Sequence, residues 1–137
     1  MNNKELFEAC KHGHLEIVKL LKEKGANLDI KDKNNNTPLI YACYYGHLKL
    51  ATLLINTGAD VNAKSEDGVT ALMGACWNGY LKIVKLLKEN GANLDAQDKD
   101  GKTALMCAYE RGELEIATFL IKRVTNKCLW NFKNKTI

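Results

Sequence analysis

The segment HLKLATLLIN (residues 47–56) carries Leu48, Leu50, Ala51, Leu53 and Leu54 among its apolar residues. At helical periodicity these gather on one broad face. Gly58, just beyond, is the residue type that ends a helix in the left-handed conformation. Upstream, TPLIYAC (37–43) predicts a shorter helix. Thr37 is a good N-cap, Pro38 suits the first helical position, and small Ala42 and Cys43 allow neighbours to approach closely. Gly46 separates the two helices, and the polar ADVNAKSEDG (59–68) predicts a turn reaching into the next apolar stretch. That next stretch is nearly the same one: TPLIYACYYGHL (37–48) is followed by TALMGACWNGYL (70–81) and TALMCAYERGEL (103–114).

The interval of 33 residues holds in many columns. Ala9, Ala42, Ala75 and Ala108 align; so do Gly13, Gly46, Gly79 and Gly112, then Leu15, Leu48, Leu81 and Leu114, then Leu21, Leu54, Leu87 and Leu120. Thr37, Thr70 and Thr103 open three units, and Gly25, Gly58 and Gly91 close three. This pattern predicts a tandem array of four units. Neither helix of a unit can hide its apolar face alone, so the units must stack into a continuous core.

The unit resembles the ankyrin repeat, most closely in GHLEIVKLLKEKGANLD (13–29), NTPLIYACYYGHLKLATLLINTGADVNAK (36–64) and the stretch from Asp67 to Ala108. The resemblance covers about residues 4–123. It implies an all-α fold: an ankyrin-repeat α-solenoid of stacked helix-turn-helix units joined by protruding β-hairpin-like loops. The domain is expected over residues 1–125, with units at about 1–31, 32–64, 65–97 and 98–125, followed by a basic, aromatic tail at 126–137. The family's TPLH reads TPLI, TALM and TALM here, so Ile40, Met73 and Met106 replace the loop-bonding histidine. Loops held more by apolar contact than by polar networks are expected. Val124 stands where earlier units have Gly25, Gly58 and Gly91, so the last helix need not stop there.

Composition narrows the functional classes. Net charge is +4, but five bases and no acids lie from Lys122 onward, leaving 15 bases against 16 acids before it. The basic excess belongs to the tail and predicts no nucleic-acid-binding face. No apolar run reaches the roughly 18 residues of a membrane helix, so no membrane insertion is expected. The polar start MNNKELFEACKHG predicts no secretory signal and a cytoplasmic protein, with export by a route that reads no such signal left open. In the tail, Cys128, Leu129, Trp130 and Phe132 have two readings: a cap over the last unit, or a mobile docking segment.

Candidate chemistry is sparse. Cys10, Cys43 and Cys76 share one column. Helices packed about 8–10 Å apart exceed the roughly 7 Å Cα limit for a disulfide, and a straight column cannot converge on zinc. Small buried hydrophobes in a reduced cell are the expectation. His14 and His47 share a column that supports the turn between helices in ankyrin repeats. No nucleophile elbow, phosphate loop, paired-carboxylate motif or metal-ligand set is present, so neither enzyme activity nor a cofactor is expected.

A binding surface remains. The resemblance implies docking of a partner protein on a concave side made of loop tips and the exposed edge of the first helices. On the helices these columns hold Lys11 and His12, Tyr44 and Tyr45, Trp77 and Asn78, and Glu110 and Arg111. On the loops they hold Lys33, Asn34 and Asn36, then Glu66, Asp67 and Val69, then Lys99, Asp100 and Lys102. These columns vary in size and charge while the scaffold columns barely change. Tyr44, Tyr45 and Trp77 are the expected centre, because aromatic residues dominate interface hot spots. A monomeric protein-interaction module is the favoured function; a self-associating scaffold acting through its C-terminal end is the alternative.

Overall fold

A computed structural model describes residues 3–121 of the chain; the tail readings, including Val124, lie outside the described residues. Helices follow in pairs: α1 (Asn3–His12) and α2 (Leu15–Glu23), α3 (Pro38–Tyr44) and α4 (Leu48–Asn56), α5 (Ala71–Asn78) and α6 (Leu81–Glu89). Then come α7 (Ala104–Glu110) and α8, helical over residues 114–121. No strand occurs among the described residues. The first helices stack in sequence order, α1 on α3, α3 on α5 and α5 on α7, and α1, α3 and α5 also pack on their own second helices, α2, α4 and α6.

Local chemistry sets each unit. The side chains of Thr37, Thr70 and Thr103 accept hydrogen bonds from the amides of Ile40, Met73 and Met106, satisfying donors that a helix start leaves open. The turns between paired helices repeat one bond: the amides of His14, His47, Tyr80 and Glu113 donate to the carbonyls of Ala9, Ala42, Ala75 and Ala108. That closure needs a left-handed residue one position earlier. Gly46, at φ +85°, has a second reason to be glycine, because a Cβ there would stand 2.6 Å from the Tyr80 ring of the following unit.

The core follows the repeat. Leu6, Leu39 and Leu72 lie buried along the first helices, and Leu54, Leu87 and Leu120 along the second. Ala9, Ala42, Ala75 and Ala108 are buried between neighbouring first helices, where small side chains permit close approach. Ile17 is half exposed, although Leu50, Ile83 and Ile116 in its column are sealed.

The polar loops form fingers. The amides of Asp32, Ser65 and Asp98 donate to the carbonyls of Asn36, Val69 and Lys102, and those of Asn35, Gly68 and Gly101 donate back to the carbonyls of Asp32, Ser65 and Asp98. Successive fingers are joined by one backbone rung each: the Glu66 amide to the Asn34 carbonyl at 2.8 Å, and the Lys99 amide to the Asp67 carbonyl at 2.9 Å.

The expectation of loops with weaker polar networks needs correction. Ile40 and Met73 are buried, as apolar anchoring requires. Yet Asp32 accepts from the amides of Asn34 and Asn36, Ser65 from that of Val69, and Asp98 from those of Asp100 and Lys102. The polar network persists because a short oxygen-bearing side chain heads each finger. This column is itself spaced by 33 residues and was readable in the sequence.

Candidate partner-binding surface

Stacking the first helices beside the fingers leaves a valley between them. One groove, of about 470 Å³, runs between α3 and the second finger; its walls include Asn34, Asn36, Tyr41, Tyr44, Tyr45, Glu66, Asp67 and Val69. A second, of about 260 Å³, is lined by Tyr44, Val69, Met73, Gly74, Trp77, Asp98, Asp100, Lys102 and Cys107. Tyr44 and Val69 line both, so the two adjoin.

The aromatic rings hold one another in place. Tyr41 and Tyr45 stack with centroids 6.4 Å apart, Tyr44 meets Tyr45 edge-on at 5.0 Å, and Phe7 supports Tyr41 at 5.4 Å. Tyr44 and Tyr45 stay about 40% and 39% exposed, and Trp77 is half-buried. Gly74 makes room for Tyr44: an added Cβ would lie 3.2 Å from its ring. Two cations sit on this cluster, the Lys11 ammonium 5.7 Å from the Tyr45 centroid and the Arg111 guanidinium 4.7 Å from the Trp77 ring centre. Such contacts are attractive through the ring quadrupole.

The expected residues divide by what they touch. Lys99 pairs with Asp67 at 2.8 Å, and Lys102 with Glu110 at 3.0 Å, so four of the charged candidates are engaged with each other. The pairs are exposed, which makes them worth little for stability. Asn78 is turned inward, donating to the carbonyls of Tyr44 and Gly74 at 2.8 and 3.3 Å. That amide ties α5 to α3 and is framework. His12 sits at the edge beside Glu8, 3.4 Å away. Lys33 is exposed on the first finger.

Sequence reasoning missed the groove floor. Tyr41 donates its phenol to Asp32, locking ring to finger. Ile40, Met73 and Cys107 form apolar base, and Ser65 and Asp98 edge the walls. The thiols are buried as expected, and desolvation pushes Cys10 and Cys76 up to about 12 and raises Cys43 further. His47 supports the turn before its own unit, its Nε2 2.8 Å from the Lys11 carbonyl oxygen. His14, in the first unit, is exposed.

A family model for ankyrin repeats, three copies long, matches residues 2–65 and again residues 63–131. The chain belongs to the ankyrin repeat family. Among curated proteins, a search found no match. The ankyrin repeat is a non-catalytic scaffold that generally serves protein–protein interaction, and the paired helices and fingers of this chain are that scaffold. No helix among the described residues is long and apolar enough to cross a membrane, and no cluster of three metal-ligating side chains occurs among them.

Proposed function

We propose that this ankyrin repeat protein is a monomeric interaction module of four units, over residues 1–125, that holds a partner protein in the valley between its fingers and first helices. The partner is another protein rather than a nucleic acid. One observation carries this reading: four aromatic side chains, Tyr41, Tyr44, Tyr45 and Trp77, line two adjoining open grooves while the scaffold around them satisfies its own polar groups. No buried side-chain nitrogen or oxygen lacks a hydrogen-bond partner among the described residues. The frame therefore needs nothing from the rings' exposed faces, which are left for recognition. Preorganised rings lose little freedom on binding, and this favours affinity.

Trp77 and Tyr44 form the centre, with Lys11, Glu66, Asp100 and Arg111 as a polar rim. The sheltered position of Trp77 under Arg111 matches a hot spot screened from water. The experiment is affinity capture from a cell extract, then titration of the captured partner. Tyr44→Ala/Trp77→Ala is expected to weaken binding by at least about 30-fold, the loss that one hot spot of about 2 kcal/mol gives, and by several hundredfold where the two losses add. Lys49→Ala, on the exposed side of α4, leaves affinity unchanged. Equal affinity for the double variant and the parent moves the site off this face.

A further inference from the structure

We infer that the partner presents an arginine to Tyr44, its guanidinium lying on the exposed phenol ring within reach of Glu66 and Asp100. The inference rests on the docking face proposed above and adds the chemistry of what that face receives. The exposed rings of the valley are not alike. Lys11 lies over the Tyr45 ring at 5.7 Å and Arg111 over the Trp77 ring at 4.7 Å, so two of the rings already hold a cation from the chain itself. Tyr44 lines both grooves and is about 40% exposed, yet among the described residues no cation lies over it. Its position is fixed without one. Its carbonyl accepts a hydrogen bond from the Asn78 side-chain amide at 2.8 Å, its ring meets Tyr45 edge-on at 5.0 Å, and Gly74 gives it room. A ring held this way offers a preformed face whose quadrupole attracts a cation.

The charges near Tyr44 have the complementary sign. The walls of the two grooves carry the carboxylates of Glu66, Asp67, Asp98 and Asp100 against a single ammonium, that of Lys102. Lys102 is paired with Glu110 at 3.0 Å, and Asp67 with Lys99 at 2.8 Å. Asp98 accepts from the amides of Asp100 and Lys102 and so serves its own finger. Glu66 and Asp100 remain. Both are exposed, and neither side chain has an ion pair or a hydrogen bond among the described residues. They act on the Lys99 ammonium only through space, behind the hydrogen bond and the charge of Asp67 that chiefly raise it. Glu66 lines the first groove and Asp100 the second, so Tyr44 has one uncommitted carboxylate in each groove it borders. Arginine suits this arrangement better than lysine. Its flat guanidinium stacks on an aromatic face and directs its N–H groups outward to carboxylates, whereas an ammonium is a compact, strongly hydrated point charge. The same two carboxylates disfavour an acidic segment at this place.

Peptide selection tests the chemistry directly. A random library of short linear peptides displayed on phage is selected on the immobilised full chain. Arginine-bearing peptides are expected to be enriched, and one is synthesised both with its arginine and with citrulline, which has the same shape and no charge. On the parent chain the citrulline peptide is expected to bind about tenfold more weakly, the size of a ring–cation contact in a partly desolvated site. Glu66→Gln/Asp100→Asn, at two exposed positions, is expected to weaken the arginine peptide by a similar factor and to leave the citrulline peptide nearly unchanged, so the two losses do not add. A selection that enriches no arginine, a citrulline peptide that binds as tightly as its arginine counterpart, or losses that simply add would overturn the inference. Among those contrary results, peptides that tolerate citrulline yet lose binding to Tyr44→Ala/Trp77→Ala leave the docking face standing. Peptides that also ignore that double variant remove the face as well.

Discussion

Tyr41 and Asp32 join the groove floor to its wall, and the pair titrates. Burial acts to raise the Asp32 carboxyl, but hydrogen bonds from the Tyr41 phenol and from the amides of Asn36 and Asn34 outweigh it and hold the group below the usual carboxylate range. Tyr41 is pushed up to about 12, first by burial and then by its bond to Asp32. A depressed acid stabilises the fold above its unfolded value near pH 4, and that stability is lost as pH falls through the folded value. The raised phenol contributes fully below about pH 10 and is lost as pH rises through about 12. Tyr41→Phe is therefore expected to flatten the alkaline limb and move the acid limb upward, measured by chemical denaturation across pH. Glycine gives a second prediction at this scale. Gly58→Ala meets open space and bears only the backbone cost of about 1–2 kcal/mol. Gly46→Ala must also displace the Tyr80 ring and is expected to cost more, and the excess should vanish in a Tyr80→Ala background.

The starts of α3, α5 and α7 each rest on one threonine. Thr70 is buried, and its side chain accepts the Met73 amide. Thr70→Ala is expected to lower stability by about 1 kcal/mol by denaturant titration, while Thr70→Ser, which keeps the oxygen, restores most of it. The helices were legible because their caps, glycines and apolar stripes recur at one interval, so noise in one unit is corrected by three others. Tyr44 and Tyr45 were legible as exposed rings for the same reason: their columns are not core columns. Tyr41 was not, since its column holds Glu8, Gly74 and Cys107 and no shared chemistry. The inward turn of Asn78 was hidden too, because its amide reaches a carbonyl 34 residues away in a neighbouring helix. Register predicts which columns face each other, but not which polar side chain spans the gap.

Across the whole molecule, one row of first helices and one row of fingers meet along a valley, and the varied side chains gather there. The claim that this valley is the docking face is tested most directly by amide hydrogen exchange on the protein with and without its captured partner. Protection is expected in residues 40–45, 64–69 and 73–78, with α4 and α6 exchanging as in the free protein. Protection confined to α4 and α6, with the aromatic groove unchanged, would contradict the account.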